Sequence, residues 1–85
     1  MSCFVYIIGS FKDEKLLTYV GWTNNIDERL KKHNSNKGAK STKGRIWELL
    51  YFEEVKSKSE ALKREHALKK DRKFRTHIKL QFINH

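Results

Sequence analysis

Cys3-Phe4-Val5-Tyr6-Ile7-Ile8 is an unbroken apolar run, and Gly9-Ser10 ends it. Side chains alternate faces along a strand, so a strand apolar at every position is buried on both faces and belongs in the middle of a sheet. Outward from it, the polar segment Lys12 to Lys15 reads as a turn and Leu16 to Trp22 as a second strand, completing a hairpin. Asn24 or Asn25 suits the N-cap of a helix through about His33, with Asp27 and Glu28 in its first turn and Ile26 and Leu30 as its inner stripe. Asn34 to Gly44 is a loop rich in Gly, Ser and Lys. Ile46 to Val55 reads as a third strand, with Trp47, Leu49 and Tyr51 on one face and Ile46, Leu50 and Phe52 on the other. Ser57-Lys-Ser-Glu60 is a capping box opening a second helix to about Lys70, and Asp71 can cap a third whose Phe74, Ile78 and Phe82 share a side. The order β-β-α-β-α-α predicts an α+β fold: a three-stranded antiparallel sheet packed with three helices.

The length of 85 residues predicts one domain spanning 1–85. Two Trp, three Tyr and five Phe can anchor a core, which argues against disorder. No apolar run approaches the ~20 residues that span a bilayer, and the N-terminus does not read as a signal peptide. Cys3 is the only cysteine, which excludes an internal disulfide and a multi-cysteine zinc site. The expectation is a soluble, cytoplasmic protein. Its formal charge of +9 is uneven: residues 1–35 and 36–55 each carry +1, and residues 56–85 carry +7. Such a cluster can be a solvated helix face, but with a pI of about 9.9 it points to a polyanionic partner.

No Gly-rich phosphate loop, zinc helix or nucleophile elbow is present. Glu65 is the most informative single residue. It sits four after Ala61 and three before Leu68, on the stripe that Ala61, Leu62 and Leu68 define, so it points inward. A carboxylate there needs a partner, either an ion pair with Arg29 or a nearby Lys, or a bound cation. Arg29 and His33 lie four apart on the first helix and emerge on one flank, able to hold a phosphate or simply to be solvated. Tyr6 and Tyr19 lie on neighbouring strands and can share a face, as core packing or as part of a site.

Phe4-Val5-Tyr6 followed by Tyr19-Val20-Gly21 resembles the GIY-YIG endonuclease signature. The likeness continues through Trp22 to Asn34, Lys37-Gly-Ala-Lys-Ser-Thr42, Trp47 to Glu53 and Ser59 to Lys70. It covers nearly the whole chain and looks like the small stand-alone branch related to the nuclease domain of bacterial excision-repair endonuclease. The resemblance implies a fold of three antiparallel strands packed with helices and a divalent-metal-dependent endonuclease acting on DNA. It implies one Mg²⁺ or Mn²⁺ held by Glu65, Arg29 stabilising charge on the scissile phosphate, and Tyr6 and Tyr19 as the motif tyrosines, one of which activates water. His33 matches an active-site histidine, and Gly21 matches a glycine that lets backbone and substrate approach. Phe4 stands where the family name has Gly, and Trp22 where relatives often have a polar residue or Tyr.

Two functions follow as expectations. One is an endonuclease in DNA repair or the processing of structured DNA, single-stranded or branched. The other is a non-catalytic nucleic-acid-binding module that keeps the nuclease fold. Both place DNA on Lys63, Arg64, Lys69, Lys70, Arg72, Lys73 and Arg75, with Lys37, Lys40 and Lys43 of the loop as a second contact. A separate targeting protein, or a restricted structural substrate, would make up for the affinity that a lone small domain lacks.

Overall fold

A computed structural model describes residues 2–12, 14–35, 37, 42 and 44–83. Strands β1 (Cys3–Lys12), β2 (Lys15–Thr23) and β3 (Glu48–Val55) and helices α1 (Ile26–Asn34), α2 (Lys58–Lys70) and α3 (Arg72–Ile83) follow the expected order. The sheet runs β2-β1-β3, with both pairs antiparallel. The apolar run is therefore the central strand, as its composition requires. Gly9 and Ser10 end that run but not the strand: they pair with Thr18 and Leu17, and pairing continues to Lys12. Ser10 is buried there, and its hydroxyl accepts from Arg45 Nε at 3.2 Å.

The sheet separates two packing clusters. Cys3, Val5 and Ile7 turn towards α2 and α3 and pack with Val20, Ala61, Leu68 and Ile78. Tyr6 and Ile8 turn the other way and pack with Trp47, Tyr19 and Leu30 of α1.

Three details differ from the expected patterning. Trp47 lies before β3, and a register shift between Ile7 and Ile8 brings Ile7 opposite Tyr51 but Ile8 opposite Leu49. Leu50 is thus the extra residue of a bulge, which breaks the two-residue period. Leu50 and Tyr51 consequently face the same cluster beside α3, while Trp47 packs on the opposite side of the sheet. Leu62 is 44% exposed rather than part of the buried stripe of α2, which Ala61 and Leu68 form without it. Ile46 is exposed ahead of the strand.

The helix starts are capped as the sequence suggests. Asn25 Oδ1 accepts from Glu28 N at 3.1 Å, Ser57 Oγ from Glu60 N at 3.2 Å, and Asp71 Oδ1 from Phe74 N at 3.0 Å. Among the described residues no helix is long and apolar enough to cross a membrane.

Candidate active site

Strand pairing assembles the tyrosines. Tyr19 lies opposite Ile8 and Gly21 opposite Tyr6, so the two tyrosines are diagonal neighbours on the face that α1 covers. Their ring centroids are 6.5 Å apart. Tyr6 is 2% exposed. Its hydroxyl occupies the space that a side chain at position 21 would need: a Cβ built on Gly21 would meet Tyr6 Oη at 2.6 Å and Tyr19 Cε2 at 3.1 Å. Gly21 is required here for close approach rather than for backbone freedom.

Helix α1 brings Arg29 and His33 to the same face, but not as a solvated pair. His33 is fully buried, with its Nε2 2.9 Å from Tyr6 Oη and its Nδ1 2.9 Å from Thr42 Oγ1. The imidazole also packs against Tyr19, centroid to centroid 5.1 Å. Burial, and then the Arg29 charge, hold His33 below the ordinary histidine pKa of about 6.5, so it is neutral at neutral pH. A direct His33–phosphate contact is therefore replaced by a contact to Tyr6. The reason is visible in the spacing: Ile26, Arg29, Leu30 and His33 form one helical stripe, which places His33 on the inner side of α1.

Arg29 approaches both phenols, and these interactions favour its charged form. Its Nε is buried without a hydrogen-bond partner. Burial pushes the Tyr6 phenol above its ordinary pKa, while Arg29 pulls it down and the charges of Tyr19 and Glu65 push it up. Beside these groups lies a cleft of about 320 Å³ lined by Trp22, Thr23, Asn24, Asn25, Glu28, Arg29 and Lys32.

Glu65 comes from α2, across the sheet from α1. Its side chain is only 19% exposed, in keeping with the expected inward placement, and it pairs with Lys69 at 3.3 Å. The alternative partner Arg29 makes no ion pair with it among the described residues; Glu65 reaches the tyrosine group through its charge on Tyr6.

Of the residues expected to contact nucleic acid, Lys37, Lys63, Lys70, Arg72 and Lys73 are exposed. Lys69 is exposed but committed to Glu65. Arg64 is not available: its Nε donates to both Glu53 oxygens, at 2.8 and 3.0 Å, and Tyr51 Oη donates to the same carboxylate at 2.6 Å. Arg75 is half-buried, its Nε without a partner. Lys40 and Lys43 lie outside the described residues. Thr42, fully buried against His33, stands out by no periodicity; its only sequence signal is its place in the Ala-Lys-Ser-Thr segment.

Residues 2–79 match the GIY-YIG catalytic domain. The chain belongs to the GIY-YIG family. It is 50% identical over 68 residues to a UPF0213 protein of Clostridium perfringens, covering 79% of this chain and 70% of that one. A UPF0213 protein of Natronomonas pharaonis is 43% identical over 67 residues, covering 78% and 75% of the two chains. Among solved structures, the solution NMR structure of a UPF0213 protein from Bacillus halodurans is 38% identical, covers 94% of this chain and 85% of that one, and superposes with a TM-score of 0.48. The GIY-YIG domain is a nuclease-family domain. In this structure Tyr6 and Tyr19 pack against His33, and Gly21 lies against both tyrosine rings.

Proposed function

We propose that this GIY-YIG domain is a divalent-metal-dependent endonuclease that hydrolyses phosphodiester bonds of structured DNA. The observation that carries the reading is the buried Tyr6–His33 contact at 2.9 Å beside the Arg29 guanidinium. A guanidinium has donors only, so Arg29 offers the Tyr6 phenol no acceptor, and the phenol proton is directed to Nε2 of a neutral His33 2.9 Å away. A water proton taken up by the Tyr6 oxygen is thereby matched by transfer of the phenol proton to Nε2. The proton moves two steps inward while the hydroxide attacks phosphorus. Arg29 faces the charge that develops on the phosphate, and its unpartnered Nε is a donor that a phosphate oxygen would satisfy.

Glu65 fits the role of ion holder. Its only described cation contact is an i,i+4 pair with an exposed lysine, which is weak. Among the described residues no group of three or more His, Cys, Asp or Glu is placed to hold an ion, and Glu65 would supply a carboxylate to it. Mg²⁺ is commonly bound in this way, with water and substrate phosphate completing its shell. When bound, such an ion polarises the phosphate and stabilises its developing charge.

The test is cleavage of single-stranded, duplex, flap and junction DNA with Mg²⁺ or Mn²⁺, beside Glu65→Gln. The variant should bind DNA and melt within about 0.5 kcal/mol of wild type, because an i,i+4 pair with an exposed lysine contributes little. It should not cleave. Wild-type protein that binds every substrate and cuts none would leave a non-catalytic binding module as the correct reading.

A further inference from the structure

We propose that Thr42 is a positioning residue of this site: its hydroxyl holds His33 in the Nδ1–H tautomer, leaving Nε2 free to take the Tyr6 proton. The inference rests on the endonuclease reading, but it concerns a contact that exists without substrate.

A neutral imidazole has one N–H and one acceptor nitrogen, and which is which depends on its two partners. His33 is fully buried, and each ring nitrogen meets one hydroxyl: Tyr6 Oη at Nε2 and Thr42 Oγ1 at Nδ1, both at 2.9 Å. On the Tyr6 side the phenol is 2% exposed and approached by Arg29, which can only donate. A phenol proton directed away from Nε2 would have no described acceptor, and an unsatisfied buried hydroxyl is costly. Nε2 is therefore the acceptor, and Nδ1 must carry the proton and donate it to Thr42 Oγ1.

Thr42 is itself held in place. Trp47 Nε1 donates to the Thr42 carbonyl at 2.9 Å. Trp47 in turn is clamped to the end of α1: its N–H donates to Asn34 Oδ1 at 2.6 Å, and Asn34 Nδ2 donates to its carbonyl at 3.1 Å. The hydroxyl thus meets His33 from a backbone fixed at a second point by Trp47, which is itself held by Asn34, the residue next to His33 in sequence. This is how a group remote from the water sets the direction in which its proton travels.

The decisive measurement is the two-bond ¹H–¹⁵N correlation spectrum of the His33 imidazole, recorded without DNA. Wild type should show a protonated Nδ1 and an acceptor-type Nε2. Thr42→Ser keeps the hydroxyl and should keep both the tautomer and cleavage within about threefold. Thr42→Val keeps the shape and removes the oxygen; it should give a mixed or reversed tautomer and lower kcat about tenfold or more, with DNA affinity unchanged. An Nε2–H tautomer in wild type overturns the proposal, as does Thr42→Val that retains the wild-type spectrum. If Thr42→Val does not fold, the wild-type spectrum and Thr42→Ser still decide. Wild type lacking cleavage would remove the endonuclease reading and leave the tautomer result standing on its own.

Discussion

At the scale of single residues, Gly21 is the position where sequence and site meet most tightly. A methyl group there would overlap Tyr6 Oη at 2.6 Å and Cζ at 2.8 Å. Tyr6 lies in a buried cluster against His33, so it has little room to yield. Gly21→Ala should cost about 1–3 kcal/mol, the usual range for overpacking, and should abolish cleavage by separating Tyr6 from Nε2. Thermal melting and a cleavage assay on the same preparation check both parts; a variant that melts like wild type and cuts normally would show that the phenol can move aside freely. Part of this site is legible in the sequence: strand alternation lets Tyr6 and Tyr19 share a face, and the hairpin register, with Gly21 opposite Tyr6 and Tyr19 opposite Ile8, makes them do so. The burial of His33 is legible only in part. The stripe Ile26, Arg29, Leu30, His33 points it inward, but nothing in helical spacing announces that Thr42, far along a loop, comes to meet Nδ1. Arg64 escapes for the same reason: its partner Glu53 sits on a strand, and cross-element pairs leave no local signal.

At the scale of elements, α1 carries two of the site residues on only nine residues, too few for a helix to be stable by itself. Its start depends on Asn25, whose side chain satisfies an otherwise free N–H of the first turn, one turn before Arg29. Asn25→Ala should lower stability by about 1 kcal/mol and weaken cleavage by loosening Arg29, read out as a lower melting temperature and a slower rate. The element boundaries lie close to those expected, because caps and turn residues are local chemistry. The third strand is the exception. Its two-residue period is interrupted by the bulge at Leu50, and a bulge is set by what the neighbouring strand and α3 demand, not by the residues that form it.

At the scale of the whole molecule, charge and fold divide the work. The excess positive charge lies on α2 and α3, on the opposite side of the sheet from α1. Replacing Lys70, Arg72 and Lys73 together with Ala should flatten the dependence of duplex binding on salt, by up to about 0.9 in log–log slope for each phosphate no longer neutralised. Arg64→Ala is the internal contrast: it should lower the melting temperature by unpairing Glu53 and leave the salt slope alone. Equal slopes in the triple variant and wild type would move the binding surface away from these helices. The central position of β1 has a different consequence, one of timing. One edge of β1 is closed by its hairpin partner, with Lys12 beside Lys15, but the other waits for β3, where Cys3 must find Val55. A hairpin forms in about 1–10 μs, whereas pairing strands distant in sequence is slower because a long loop must close first. During synthesis and refolding, the apolar run Cys3 to Ile8 of β1 therefore spends its early life with one open edge, a form prone to pair with another chain. The arrival of β3 is thus both the step that completes the sheet and the step that closes the open edge of its most apolar strand.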